Sequence, residues 1–211
     1  MRTFKNIFNE IISFQNLLKA AKLAQRAKRF KTATARFNFL LENELWKIQN
    51  ELKNKSYEPG AYYNFKIYEP KERIISAAPY KDRVVHHAIH NILEPIFEPT
   101  FIFDSYATRK EKGSHAAINQ FQRSSRKTQF TLKCDIKKYF QNIHYGFLMK
   151  LIDKKIKCHD TTGLIEKILG SYHNYSTNLA SLTHSLTHSL THSLTHSRRD
   201  PYRQFNVTIF C

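Results

Sequence analysis

The sequence predicts an α+β fold, in which helices accompany a small antiparallel sheet. Apolar residues recur at helical spacing through the first 52 residues and again between residues 82 and 97. Two short β-prone runs flank a charged turn near Glu69, and a third β-prone run lies at residues 129–134. These three patterns together indicate the α+β class.

The length of 211 residues would allow one ordinary domain. From Ser181 onward, however, the chain reads SLTH four times over, and this repeat makes the tail a segment of low complexity. We therefore expect an N-terminal helical region over residues 1–54, a central region over residues 55–170 and a low-complexity tail over residues 171–211. The central region should form one incomplete domain.

The charge of the chain indicates a polyanionic partner. Lys and Arg number 34 against 17 Asp and Glu, which gives a net charge of +17 that is spread along the sequence. Nucleic acid is the partner that this charge favours, since binding to phosphates releases counterions. A generically basic soluble protein is the less favoured alternative.

The cysteines and the apolar segments indicate where the protein resides. The three cysteines have no metal-type spacing, and an odd number fits no disulfide framework. The N-terminus lacks the apolar core of a signal peptide, and no stretch is apolar for long enough to span a bilayer. We expect a cytoplasmic protein.

An amphipathic helix is expected near the N-terminus. Its apolar positions are Phe4, Ile7, Phe8, Ile11, Ile12, Leu17 and Leu18. Its basic positions are Lys19, Lys22, Arg26 and Arg29. A packed helix with a solvated basic side and a direct contact with nucleic acid are equally good interpretations.

A second helix is expected over residues 36–52, with Trp46 in the core among Phe37, Leu40, Leu41, Leu45 and Ile48.

A β-hairpin and a long helix should follow. Residues 57–60 break the helical pattern, and strands are predicted over residues 62–68 and 73–78 around a charged turn. A helix is predicted over residues 82–97, and Pro95 should cap or kink its end.

The remaining ordered elements are predicted to be short. Ser114 is a candidate N-cap for a helix that runs toward Gln122, and the run at residues 129–134 should form a strand. Two further helices are expected near residues 145–155 and 162–170.

Asp135 is the candidate for metal chemistry, because it would stand at the end of the predicted strand. The backbone carbonyl of Ile136 could add a second oxygen ligand. From composition alone, a single Asp at a strand end is more often a helix cap or a surface charge. His86 and His90 share a helical face but lack a third ligand, so packing or surface histidines are the better interpretation.

The order of motifs resembles that of a known family. The run YEPGAYYNFKIYEPKERIISAAPYKDRVVHHAIHNILEPIFEPTFIFDSYATRKEKGSHAA, followed by LKCDIKKYF, resembles the fingers and first palm motif of bacterial reverse transcriptases. It is most similar to the enzymes of diversity-generating retroelements, with group II intron and retron enzymes as relatives. The resemblance covers about residues 55–170. It implies the fingers and partial palm of a right-hand polymerase, with an incomplete palm sheet and no thumb.

The resemblance also implies roles for individual residues. Asp135 matches the first catalytic aspartate, which would bind Mg²⁺ with the carbonyl of Ile136. Phe140 matches the aromatic residue that packs under the sugar and selects deoxynucleotides. Lys71 and Arg73 match the cations that grip the triphosphate, although a solvated hairpin tip is the alternative.

Arg109 matches a position in the loop that approaches the template and the nucleotide. The implied partners are an RNA template, a DNA or RNA primer and a dNTP. The resemblance leaves room for an accessory protein subunit as well.

The tail lacks the motifs that should follow. A glycine-proline motif resembling GIPIGNLTSQ and a Tyr-x-Asp-Asp hairpin are expected after the first palm motif, and neither is present. With suitable synonymous codons, the stretch from Arg199 to Cys211 read one nucleotide later spells GIPIGNLTSQFF. We therefore predict a frameshift within or near the SLTH tract, with a genuine low-complexity tail as the alternative.

The missing carboxylates decide the expected activity, because one carboxylate cannot hold two catalytic metals. The favoured interpretation is a fragment of an RNA-directed DNA polymerase that is inactive alone. The alternatives are a noncatalytic nucleic-acid-binding protein and a nonfunctional frameshifted remnant.

Overall fold

The computed structural model describes residues 2–68, 70, 72–136 and 143–172. These residues divide into two units. The first holds residues up to Pro95 together with those from His144 onward, and the second holds the segment from Ile96 to Ile143. Of the predicted tail, residues 171–211, all but the first two residues lie outside the described residues. The described elements are helices and one two-stranded sheet, which confirms the α+β class.

The first unit begins with two helices, α1 (Phe8–Ile11) and α2 (Phe14–Ala24), where one was predicted. Ser13 separates them, because its hydroxyl accepts a hydrogen bond of 3.3 Å from the Asn16 N–H and so caps the second helix. The apolar side is buried, with Ile11, Leu17 and Ala20 at 0% exposure. The predicted basic positions Lys19, Lys22, Arg26 and Arg29 are all exposed, as the amphipathic pattern requires.

The next predicted helix is also divided, into α3 (Thr32–Phe39) and α4 (Leu41–Lys53). Leu45 and Ile48 are buried, as expected, and Leu52 is buried as well. The prediction that Trp46 lies in the core is wrong. Trp46 is 52% exposed and packs one side of its ring against Phe14, with 5.4 Å between ring centroids.

The predicted hairpin is confirmed as strands β1 (Tyr63–Tyr68) and β2 (Glu72–Ala77), which pair antiparallel. Tyr63 lies opposite Ala77 at the open end, and Tyr68 lies opposite Glu72 next to the turn. In the turn, Glu69 and Lys71 lie outside the described residues.

Helix α5 (Tyr80–Phe97) starts two residues earlier than predicted, directly after Pro79. Its buried side includes Val84, Val85 and Ala88, each at 0% exposure. Pro95 lies inside the last turn of the helix instead of ending it. Its missing N–H removes one hydrogen bond of that turn.

The second unit contains a 3₁₀ turn (Glu98–Thr100) and helix α6 (Ser114–Ser125). The cap position of α6 is Gly113, with φ of 114°, and not Ser114 as predicted. A φ in this range is accessible to glycine without strain.

The prediction of a strand at residues 129–134 is wrong, and all six residues are described. No strand is formed there, and Phe130 and Leu132 are 89% and 62% exposed. A strand is defined by its pairing with a neighbour, and the described residues pair only β1 with β2 in a sheet. Among the described residues, the β-prone run therefore joins no sheet.

The first unit is completed by helix α7 (Tyr145–Asp153) and by a helix over residues 159–172, here α8. Both helices were predicted, although some of the predicted ends differ from the observed ends by a few residues. Between them, Phe4 and Ile156 form a parallel bridge, because the Phe4 N–H donates to the Lys155 carbonyl at 2.8 Å and the Lys157 N–H donates to the Phe4 carbonyl at 2.8 Å. The beginning of the chain is thereby tied to its later helices. Within the described part, no helix combines the length and the apolar character that crossing a bilayer requires.

Candidate nucleic-acid interface

The hairpin presents one aromatic face that also carries a cation. Cross-strand partners lie on the same side of a sheet, so Arg73, which pairs with Ile67, shares a face with Tyr63 and Phe65. The Tyr63 and Phe65 rings stack at 6.1 Å between centroids. Arg73 is exposed and forms no ion pair with any residue that the structure describes. Its guanidinium is available to bind an anion.

The opposite face of the hairpin is neutralised. Lys66 forms an ion pair of 2.6 Å with Glu72, which raises the pKa of the lysine through a hydrogen bond and the charge of the carboxylate. Ser76 donates a hydrogen bond of 2.8 Å to Asn64 on the same face. The two faces therefore differ in charge, and the cationic one is the face of Arg73.

A buried carboxylate fixes the base of the hairpin. Asp82, in the first turn of α5, is 3% exposed and accepts hydrogen bonds of 2.8 Å from the Tyr57 hydroxyl and 2.8 Å from the Gly60 N–H. Burial, followed by the bond to Asp82, raises the pKa of Tyr57. The residues that lead into the hairpin are thereby attached to the helix that follows it.

Sequence reasoning missed this arrangement. Asp82 lies near the start of a helix, where an acidic residue is ordinary because it interacts favourably with the helix dipole. Its partners precede it by 25 and 22 residues. No local pattern relates positions so far apart. A tyrosine next to a turn was at most a weak indication of the bond between Tyr57 and Asp82.

Arg109 organises a loop in the second unit. Its guanidinium donates to Glu98 Oε1 at 2.7 Å and to the carbonyls of Ile102 and Ser105 at 2.9 and 3.2 Å. The same group lies over the Phe101 ring, 5.6 Å from its centroid. The side chain is only 13% exposed. Most of its donors are thus used within the protein, and its contact with a template or nucleotide stays a prediction.

Asp135 and Ile136 are exposed and directly follow the β-prone run of the second unit. The carboxylate of Asp135 forms no ion pair with any described residue. Carboxylate and carbonyl oxygens are the kind of donor that Mg²⁺ prefers. In the described part of the chain, however, no group of three or more acidic, histidine or cysteine side chains could hold a metal. Asp135 and Ile136 fit magnesium in chemistry but do not make a complete site.

Two of the predicted nucleotide-binding residues, Lys71 and Phe140, lie outside the described residues. The other two, Arg73 and Arg109, belong to the first and the second unit respectively, and the predicted metal ligands Asp135 and Ile136 belong to the second.

The helix α5 histidines are not part of a metal site among the described residues. His86 and His87 face partly buried surroundings, and burial lowers the pKa of each. Nδ1 of His90 lies 3.8 Å from Oε2 of Glu94, which is one helical turn further along α5. His86 and His87 are partly buried and His90 is exposed, so these histidines pack or face solvent.

Comparisons with known proteins identify relatives of about 60% of the chain. Over 131 residues it is 31% identical to the group II intron-encoded protein LtrA of Lactococcus lactis subsp. cremoris, covering 61% of this chain and 22% of the relative. It is 27% identical to protein YkfC of Escherichia coli strain K12, covering 62% of this chain and 36% of the relative.

A third relative is the mitochondrial nuclear intron maturase 1 of Arabidopsis thaliana, which is 29% identical over 49% of this chain and 14% of its own length. The chain therefore spans between about a seventh and about a third of these relatives. No family model matches the chain.

Proposed function

We propose that this chain, which is similar to group II intron-encoded proteins and intron maturases, supplies the fingers and partial palm of an RNA-directed DNA polymerase from a bacterial retroelement. The type of retroelement, including the diversity-generating type, stays a prediction. So does the right-hand polymerase architecture.

The observation that carries the proposal is the exposed guanidinium of Arg73 on the aromatic face of the hairpin. A cation without an ion-pair partner among the described residues can bind the phosphates of an incoming dNTP, which is the role proposed for it together with Lys71. Asp82 supports this role indirectly, because it attaches the base of the hairpin to α5.

The other proposed contacts follow from the family. Arg109 would hold its loop toward template and nucleotide, and Phe140 would select the sugar. Asp135 and the carbonyl of Ile136 would provide part of a Mg²⁺ site, the metal supplying charge stabilisation to the triphosphate when bound. The Tyr-x-Asp-Asp motif, which would supply the remaining carboxylate ligands, is absent from this sequence.

Nucleotide binding tests the role of Arg73. We expect the full chain with Arg73→Ala to bind a fluorescent dNTP about tenfold more weakly than the unmodified chain, because one charge-assisted phosphate contact is lost. The matched control is Lys47→Ala, since Lys47 is exposed but pairs with Glu44 at 2.8 Å. Equal affinities for the Arg73→Ala and unmodified chains would contradict the role.

A noncatalytic RNA-binding protein is the second candidate. The net charge of +17 and the exposed basic side of α2 favour it, because both act on nucleic acid without chemistry. Steeply salt-dependent RNA binding without primer extension by the purified chain would support this function. Templated DNA synthesis by the same preparation would exclude it.

The frameshifted remnant is a further alternative, and it rests on the tail. If the nucleotide sequence around the SLTH tract encodes GIPIGNLTSQ in the shifted frame, a frameshift is supported. Detection of the polypeptide in cells by mass spectrometry would then distinguish a stable fragment from a remnant that does not accumulate.

A further inference from the structure

The loop between α2 and α3, residues 25–31, displays a phenylalanine among four cations. Phe30 is 102% exposed. The cations are Arg26, Lys28, Arg29 and Lys31. All four are exposed, and none forms an ion pair or a side-chain hydrogen bond with any residue in the described part of the chain. We call this segment the Phe30 loop.

The backbone of the Phe30 loop is held in place. The Arg26 N–H donates to the Leu23 carbonyl at 3.2 Å, the Lys28 N–H to the Gln25 carbonyl at 2.9 Å and the Lys31 N–H to the Lys28 carbonyl at 3.1 Å. Ala27 takes the left-handed conformation, with φ of 55°. Successive turns therefore shape the loop.

Both ends of the loop are anchored. Ala24 before it is 5% exposed and Thr34 after it is 0% exposed, so the flanking helices are packed. In addition, the Asn38 amide donates a hydrogen bond of 3.0 Å to the Gln25 side chain, which joins the end of α3 to the start of the loop. The exposure of Phe30 thus results from a defined structure and not from a frayed end.

A single exposed apolar side chain is ordinary, but this one lies within a group of like charges that repel one another. A partner that stabilises the loop must present repeated negative charges together with flat apolar surfaces. Single-stranded nucleic acid meets both requirements, because phosphates alternate with bases whose faces are accessible. A duplex meets only the first, since its base faces are stacked inside.

We propose that the Phe30 loop is a contact for single-stranded RNA, in which the four cations bind phosphates and the ring of Phe30 stacks on an unpaired base. This inference rests on the proposed function in one respect, the choice of RNA as the nucleic acid. The net charge of +17, which extends well beyond the loop, favours a long polyanion over an isolated anionic ligand.

Substitutions at Phe30 test the stacking contact. We expect Phe30→Ala to weaken binding of the full chain to an unstructured single-stranded RNA about tenfold, as measured by fluorescence anisotropy. Phe30→Tyr should retain the affinity because it retains the ring, whereas Phe30→Leu should resemble Phe30→Ala. Affinity for the same RNA as a duplex should not change.

Phe39→Ala is the matched control, because Phe39 is 88% exposed but has no cation beside it in the sequence. It should bind RNA like the unmodified chain. Since Phe30 makes no buried contact, Phe30→Ala should also unfold at the same urea concentration as the unmodified chain, which excludes a folding defect.

Substitutions at the cations give a different signature. Arg29→Ala and Lys31→Ala should each reduce the slope of log affinity against log salt by about 0.7, the value for one lost phosphate contact on a single strand. Phe30→Ala should leave that slope unchanged. Lys47→Ala serves as the control for removing an exposed charge elsewhere.

The outcomes separate this inference from the proposed function. If the unmodified chain binds RNA and Phe30→Ala binds equally well, the loop contact is wrong while an RNA-directed function stands. If the unmodified chain binds no RNA, both the loop contact and the RNA-directed function are contradicted. If Phe30→Ala loses binding to vesicles containing anionic lipid but keeps its affinity for RNA, the loop is a membrane contact and the inference is overturned.

Discussion

The hydroxyl of Tyr57 donates a hydrogen bond of 2.8 Å to the carboxylate of Asp82, across 25 residues of sequence that include the whole β-hairpin. Tyr57 is 2% exposed and Asp82 is 3% exposed. The bond is therefore shielded from water, and it joins the segment that enters the hairpin to the helix that leaves it. Since the exposed Arg73 lies on that hairpin, the position of this cation depends on a buried polar pair.

A double-mutant cycle should show that the two side chains act together. We expect Tyr57→Phe to lower the free energy of unfolding by about 2 kcal/mol and Asp82→Ala by about 3 kcal/mol, because the second change also leaves the Gly60 N–H without its acceptor. Once Asp82 is absent, Tyr57→Phe should have little further effect. Urea unfolding of the four chains measures this coupling, and strictly additive losses would contradict it.

Stability should fall at alkaline pH because of Tyr57. Burial and the bond to Asp82 raise its pKa in the folded chain above the ordinary value of 10.0. The unfolded chain then releases a proton that the folded chain retains, so the contribution is complete below pH 10 and declines as the pH rises further. Between pH 8 and pH 11, the stability difference between the unmodified chain and Tyr57→Phe should shrink by about 1.4 kcal/mol. A constant difference would argue against this titration.

Gly60 should tolerate no side chain. A Cβ at this position would lie 2.9 Å from Cγ of Pro79 and 3.3 Å from a carboxylate oxygen of Asp82, at the junction where the hairpin begins and ends. We expect Gly60→Ala to lower the free energy of unfolding by about 1–3 kcal/mol through overpacking.

The matched control for this change is Gly163→Ala. Gly163 lies inside α8, where a Cβ would meet nothing within 4 Å. Alanine has the higher helix propensity, so this substitution should stabilise the chain by about 0.5–1 kcal/mol. Thermal unfolding of both variants compares them directly, and equal losses would show that the contact with Pro79 is not decisive.

Arg109 should be required for the order of its loop. Arg109→Ala removes the ion pair with Glu98 and the bonds to the carbonyls of Ile102 and Ser105, so we expect faster amide hydrogen exchange over residues 98–109. Arg109→Lys should rescue little, because an ammonium lacks the planar fork that reaches three acceptors. Unchanged exchange in Arg109→Ala would show that these bonds do not order the loop.

Local patterns predicted the helices and the hairpin well. Alternating β-prone runs around a charged turn indicated β1 and β2, and apolar spacing indicated α2, α4 and α5. The same patterns did not predict where the helices are interrupted. Apolar periodicity alone predicts one continuous helix across Ser13. The Ser13 side chain instead caps α2 and divides that helix, because capping by a side chain competes with helix continuation at a single residue.

The candidate site was predictable in part. The exposed position of Arg73 followed from its place in a hairpin, but the internal bonds of Arg109 did not, because its acceptors lie up to 11 residues away in an irregular loop. The Phe30 loop could be recognised in sequence only as basic. Its fully exposed aromatic ring appears once the packing of the flanking helices is known.

The sequence by itself determined the α+β class, the strong positive charge and the similarity to group II intron-encoded proteins, because composition, periodicity and ordered motifs are properties of neighbouring residues. Only the tertiary structure decided that Asp82 is buried against Tyr57, that Trp46 faces solvent and that residues 129–134 join no sheet in the described part of the chain. Burial and strand pairing depend on which distant segments meet, and no short stretch of chain contains that information.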